Sequence, residues 1–186
     1  PNPTTLSFQT LVFSPGFAYK EYFLNYTAGI DGLIASPPAP SIPPSCFVNL
    51  WQVNTADEYD NYGGRISGFF VPTADGPHVF YIATDDPGRL FLSTDESPAN
   101  KVEICREPVW SGRRTWVGEA GGGGRIGTPS ASGGPQQNIS GAINLLAGHR
   151  YYMESWFVEG GGGDNMAVAV QGPGQPEPVN DSTPVT

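Results

Sequence analysis

Val79-Phe80-Tyr81-Ile82-Ala83-Thr84-Asp85-Asp86-Pro87-Gly88-Arg89-Leu90-Phe91-Leu92 reads as a strand, a reversal and a second strand. The first run is apolar and rich in β-branched and aromatic residues, and Pro-Gly directly after it ends the ladder. The two aspartates between strand and turn are the unusual part. Adjacent like charges repel and raise each other's pKa unless a cation lies between them. The nearest basic residue in sequence, Arg89, stands beyond the turn. A hard divalent ion such as Ca²⁺, which takes about six to eight oxygen ligands, is the counter-charge this pair asks for.

Working outward, apolar or alternating runs bounded by turn residues predict strands over 17–24, 65–72, 78–84, 89–94, 101–106, 138–145, 149–159 and 165–171. Asp75-Gly76 and Ala147-Gly148 carry hairpin turn chemistry and predict antiparallel pairing of the runs on either side. The expected fold is therefore all-β, an antiparallel sandwich or barrel.

Composition agrees. Glycine (25) and proline (19) are abundant in the 186 residues, but aromatics at 12% are too many for a disordered segment, and charged residues at 15% leave little to sustain helices. Nine Lys and Arg against 18 Asp and Glu give a net charge of −9, which opposes binding to nucleic acid and favours cations or neutral polar ligands. No apolar run reaches the roughly 20 residues of a membrane-spanning helix. We expect no nucleic-acid partner and no membrane insertion.

One domain is expected over 1–173, with 174–186, polar and Pro-rich, as a linker or tail to other domains of a parent chain. Five prolines between Ser36 and Ser45 predict a loop with no regular ladder. The Gly- and Ser-rich stretch 111–137 reads as a long insertion of the kind that often carries function. Cys46 and Cys105 are either a disulfide, worth roughly 4 kcal/mol in the chain-entropy model, or two buried thiols. Asn-x-Ser/Thr triplets begin at Asn25, Asn138 and Asn180.

A second unusual segment is Glu159-Gly160-Gly161-Gly162-Gly163-Asp164-Asn165, between the aromatic run 151–157 and the apolar run 166–170. Without Cβ atoms, four glycines can turn carbonyl oxygens toward a cation, and Glu159 and Asp164 bracket them with carboxylates. The alternative is a plain hairpin loop.

Taken together, Tyr22-Phe23, the segment 60–72, the segment 80–86, Leu90-Phe91-Leu92-Ser93-Thr94-Asp95, Pro98-Ala99-Asn100-Lys101, the segment 146–152 and the segment 159–168 resemble, in order, the PA14 domain over about residues 16–173. That resemblance implies a sandwich or barrel module of extracellular lectins, adhesins, glycosidases and toxins, usually without catalysis of its own. It implies a Ca²⁺ site at one end, with Asp85 and Asp86 joined by a cis peptide and both coordinating the ion. It further implies a second loop supplying Glu159, the carbonyls of Gly161 and Gly163, and Asp164 nearby. A glycan would then be bound by Asp85, Asp86 and Gly162, with Trp110 and Trp116 as rim contacts; Trp51 and Trp156 read as core. The yeast adhesins carry an asparagine where this chain has Glu159, so sugar specificity does not transfer.

Other signals are weaker. Gly122-x-Gly124-x-x-Gly127 follows no strand and opens no helix, so it is no dinucleotide site. A single glycine run is no β-roll, adjacent carboxylates are not a glycosidase pair, and His78 and His149 read as solvated. The expectation is an extracellular or cell-surface Ca²⁺-dependent carbohydrate-binding module, not an enzyme. The alternatives are a structural or protein-interaction spacer, or an accessory domain of a glycoside hydrolase.

Overall fold

The computed structural model describes residues 18–53 and 59–185, with backbone alone for 42–47. Its elements run β1 (Ala18–Leu24), α1 (Ile30–Ala35), β2 (Ile42–Val48), β3 (Tyr62–Phe70), β4 (Gly76–Asp85), β5 (Gly88–Leu92), β6 (Val102–Glu107), β7 (Ile143–Leu145), β8 (Tyr151–Glu159) and β9 (Asn165–Gln171). Six strands form one sheet in the order β2-β1-β3-β8-β5-β6, and three form a second in the order β7-β4-β9. Every pairing is antiparallel, as expected.

The main core lies between the sheets. Ile66, Leu90, Met153 and Phe157 face Phe80, Ile82, Met166 and Val168, all buried. Yet β3 and β8 are buried at almost every position, not at alternate ones. The reason is that the outer faces are covered too. On the large sheet, α1 presses Leu33 onto Phe23 and Trp156, whose rings stack at 5.8 Å. Further along that face Arg65 pairs with Glu21 and lies over the Trp156 ring, while Glu154 binds Lys101, Tyr152 and Trp156. On the small sheet, Trp116 and Ile139 cover Tyr81, Ala83, Ala167 and Ala169.

Several expectations need correction. Neither turn signal makes a hairpin: β3 and β4 belong to different sheets, as do β7 and β8. Asp-Gly fixes a tight reversal but not the layer the chain returns to. Here each turn crosses between layers, Phe70 meets Phe80 across the core at 5.2 Å, and the Asp75 carboxylate accepts the Ala147 amide, so the two turns dock together. The Pro-rich segment does contain a ladder, since β2 spans Pro43 and Pro44 and pairs with β1 through Ile42 and through Cys46, Phe47 and Val48. It is an edge strand, where missing N–H groups can face away from the partner, and the register shifts between Lys20 and Tyr22. The predicted strand 138–145 shrinks to β7, and α1 was not anticipated.

The segment 174–185, expected as a linker, lies on the domain. Val185 donates to Val168 and accepts from Trp51, Ser182 accepts the Trp116 indole N–H, and Asn180 accepts the Val117 amide. Composition hid this because the segment contributes backbone and small polar groups rather than apolar periodicity. The expected domain also included 1–17, which lie outside the described residues.

Cys105 is a free, buried thiol. The disulfide alternative fails on topology: β6 and the β2 strand bearing Cys46 are opposite edges of the large sheet. Five strand spacings put them about 24 Å apart, whereas a disulfide needs Cα atoms within about 7 Å. His78 is buried rather than solvated, with Nδ1 2.9 Å from the Gly76 carbonyl, while His149 is exposed.

The insertion 111–137 is a third layer rather than a loose loop. Its centre is Trp116, fully buried against the small sheet. We expect Trp116→Ala to cost about 3–5 kcal/mol, read as a lower guanidinium midpoint at unchanged slope. A loss no larger than that of a surface substitution would show that the layer is not part of the cooperative fold.

Candidate functional site

Two connections cross between the sheets at the same end of the sandwich. The first, Asp85-Asp86-Pro87, carries the chain from β4 to β5; the second, Gly160 to Asp164, carries it from β8 to β9. Register brings them together. Asp85 lies opposite Asn165 at the end of the small sheet, and Glu159 lies opposite Tyr62 at the end of the large one. The peptide bond joining Asp85 and Asp86 is cis.

One carboxylate oxygen from each of Asp85, Asp86 and Glu159 lies within 4.8 Å of the others. Two oxygens on one Ca²⁺ shell, each about 2.3–2.6 Å from the ion, stand at most about 5 Å apart, so the three can share one ion. Asp85 and Asp86 are half-buried and Glu159 is buried. Asp86 accepts the Gly160 amide at 3.1 Å, which ties the two crossing loops to each other. Both oxygens of Glu159 are buried without a hydrogen bond; the Gly161 amide faces the group outside bonding geometry.

None of the described ion pairs involves these three carboxylates. Arg89 turns instead to Asp31 and Glu103. The electrostatic cost therefore appears in the proton affinities. Burial, then Asp86, Asp164 and Glu107, push Asp85 up to about 6. Burial, then Asp86 and Asp85, push Glu159 up to about 7. The donor set suits a hard divalent cation, being an all-oxygen, anionic cluster with buried lone pairs left over.

Asp164 is close enough to raise both groups but directs Oδ2 to the Tyr62 hydroxyl at 2.7 Å, so it flanks the three-carboxylate group. Gly160 to Gly163 are exposed around the cluster, and Gly162 takes φ 114°, which excludes most other residues at the loop tip. Trp110 bridges to Asp85 in the β-ladder sense and is 40% exposed. Its ring lies where a Cβ on Gly121 would be, so that glycine lets the insertion back directly onto the indole. Trp116 is corrected: it is wholly buried and its N–H is bound to Ser182, so it cannot contact a ligand at the rim.

Sequence reading missed two neighbours. Asn165, opposite Asp85, keeps a buried Oδ1 without a hydrogen bond while its Nδ2 donates to the Ser111 carbonyl. Asp60 is exposed beside Gly161, and Asn61 next to it donates to the Gly160 carbonyl. The first was legible only through register; the second lies a hundred residues away in sequence and is delivered by β3.

No protein-family profile matches the chain. A mouse protein, N-acetyl-beta-glucosaminyl-glycoprotein 4-beta-N-acetylgalactosaminyltransferase 1, is 30% identical over 111 residues, 60% of this chain. The chain spans only a tenth of that relative's length. The PA14 sugar-binding domain from an RTX adhesin superposes with a TM-score of 0.55 at 9% identity, covering 85% of this chain and 90% of that one. The epithelial adhesin 6 A domain from Candida glabrata, solved in complex with Galβ1-3GlcNAc, superposes with a TM-score of 0.51 at 16% identity, covering 93% and 86%. The chain thus has the PA14-type all-β sandwich fold that its sequence resembled.

The raised proton affinities fix a sign. A carboxylate whose folded pKa lies above its unfolded value favours the fold at low pH, and that contribution is lost as pH rises through the folded pKa. For Asp85 and Glu159 the loss falls between pH 4 and about 7. The chelator-treated protein should therefore melt at a higher temperature at pH 5 than at pH 8, and Asp85→Asn with Glu159→Gln should flatten that slope. A wild-type melting temperature that climbs from pH 5 to pH 8 would contradict the unneutralised cluster.

Proposed function

We propose that this chain is a Ca²⁺-dependent carbohydrate-binding module of an extracellular or cell-surface protein, and that it is not itself an enzyme. The observation that carries the reading is the convergence of Asp85, Asp86 and Glu159 with no ion-pair partner among the described residues, and with both Glu159 oxygens buried without a hydrogen bond to them. Ca²⁺ is favoured over Mg²⁺ because the donors are carboxylates spaced for a wide, flexible shell.

In this reading Asp85, Asp86 and Glu159 would hold the ion, with the carbonyls of Gly161 and Gly163 as further oxygen donors. Asp164, held by Tyr62, adds negative potential from the side. When bound, Ca²⁺ would supply coordination positions for sugar hydroxyls. Asp85 and Asp86 accept hydrogen bonds from the same hydroxyls, and the charge on the acceptor strengthens them. Gly162, at the exposed loop tip, leaves space for the sugar ring. Trp110 offers its exposed indole to the apolar face of a ring.

The glycan complex of the Candida glabrata domain supports this reading at the level of fold. The mouse relative supports a second one, an accessory domain in a glycan-processing enzyme whose catalysis lies elsewhere in the parent chain. Both assign the same task to this domain, glycan recognition. A spacer role, in which the cluster serves stability alone, is the competing class.

The test has two arms. At about 100 times its Kd, Ca²⁺ should stabilise the fold by about 2.7 kcal/mol, which for a domain of this size is about 5–10 °C in Tm; EDTA should reverse the gain. On a glycan array, binding should require Ca²⁺ and vanish in Asp85→Asn with Asp86→Asn. Trp110→Ala should weaken glycan binding while leaving the Ca²⁺ shift in Tm intact. Stabilisation without any glycan bound selects the spacer; no Ca²⁺ shift rejects the metal site.

A further inference from the structure

The fold treats the three Asn-x-Ser/Thr triplets unequally. Asn138 is fully buried, its Nδ2 donating to the carbonyls of Ile82 and Trp116, and Ser140 of the same triplet is buried with its hydroxyl bound to Phe80 and Gly141. A sugar on that nitrogen would displace the layer formed by Trp116 and Ile139. Asn180 is exposed, but its side-chain amide clasps the Val117 backbone in both directions, and Ser182 holds the Trp116 indole.

Asn25 differs in each respect. It follows β1 directly, is exposed, and its side chain makes no hydrogen bond to the described residues; Thr27, which completes the triplet, is exposed as well. Its φ of 57° places it in the left-handed region, where asparagine is among the few favoured residues, on a turn whose hydrogen bonds to the domain are made by the residues on either side of it. The Tyr26 amide donates to the Asn61 carbonyl and the Tyr26 hydroxyl to the Gly29 carbonyl, so the turn stays ordered while Asn25 points nowhere into the domain.

We propose that Asn25 is the N-glycan acceptor of this domain when the chain passes through a secretory pathway. The donor is an oligosaccharide linked to a polyprenyl pyrophosphate. Nδ2 of Asn25 bonds to the anomeric carbon as that carbon's bond to the pyrophosphate oxygen breaks; the amide gives up one proton and polyprenyl pyrophosphate leaves, with no change in oxidation state. The modification carries no cost in the fold, because it removes no hydrogen bond and meets no buried surface. Its position is informative. Leu24 pairs with Tyr62, Tyr62 pairs with Glu159, and Asn61 binds Gly160, so the attached oligosaccharide emerges at the end of the sandwich that bears the carboxylate cluster.

The test is site occupancy. The chain is secreted from a eukaryotic host, and each triplet is read by glycopeptide mass spectrometry after enzymatic deglycosylation in heavy-oxygen water. The expected result is occupancy at Asn25 above that at both Asn138 and Asn180, and loss of that glycan in Thr27→Ala. Thr27→Ala is preferred to a glutamine at 25 because it leaves the left-handed position untouched; Asn25→Asp, which tolerates the same backbone, is the second variant. Occupancy at Asn25 equal to or below either other triplet overturns the proposal, as does a glycan that survives both substitutions at that end of β1.

Discussion

The site depends on two chain crossings that the packed sheets force to the same place. Face-to-face sheets stand about 10 Å apart, and a strand that ends in one layer and resumes in the other must span that gap with a short connection. Phe157 of β8 and the β4 residues Phe80 and Ile82 are buried in one cluster, which fixes the sheets face to face. With that packing and the β3–β8 and β4–β9 registers set, Asp85-Asp86 and Glu159 have no freedom to separate. The carboxylates are adjacent because the core is packed, not because they attract. Burial first, and then their mutual repulsion, push Asp85 and Glu159 up.

A second buried charge is treated in the opposite way. Glu107 and Arg125 are both inaccessible to solvent, and Arg125 donates through Nε at 2.7 Å to Glu107 and through Nη1 to the Thr115 carbonyl. Removing two ions from water costs several kcal/mol each unless the geometry offsets it. Here it does more than offset charge: one guanidinium ties β6 to two points of the insertion, and Gln137 and Ser132 bond the free edge of β6. The insertion is thereby held as a layer, with Trp110 laid on Gly121 at the rim. The same fold neutralises the charge that positions the wall and leaves bare the charge that the wall surrounds.

Much of this was legible from sequence, for identifiable reasons. Eight of the nine strands announce themselves as apolar runs between turn residues, and the paired aspartates announce themselves as charge without a partner. What failed were inferences about layer and contact. Asp75-Gly76 specifies a reversal, and only the Phe70–Phe80 packing across the core decides that it crosses sheets. Trp116 sits among glycines and serines that suggest a loop, yet Tyr81, Ala83 and Ala167 on the small sheet present an apolar face that only a large ring fills. β2 is masked by prolines that an edge strand tolerates. Asn165 and Asp60 join the site by register and by loop proximity, neither of which a local motif encodes.

The contrast between the two charge clusters also bears on what the carboxylates are for. If stability alone had shaped this end of the sandwich, a basic partner of the kind Arg125 provides for Glu107 would be expected beside the carboxylates. Instead the nearest basic residue in sequence, Arg89, is committed elsewhere, to Asp31 and Glu103. Three carboxylates held together with no basic partner among the described residues, two half-buried and one buried, are a local electrostatic conflict, and such conflicts in folded domains concentrate where something is bound. The exposed glycines around it admit close approach, and Trp110, whose backbone bridges to Asp85, is half-exposed. A small cation would close the conflict, and in the proposed reading the exposed glycines and the Trp110 indole would be left to meet a sugar ring.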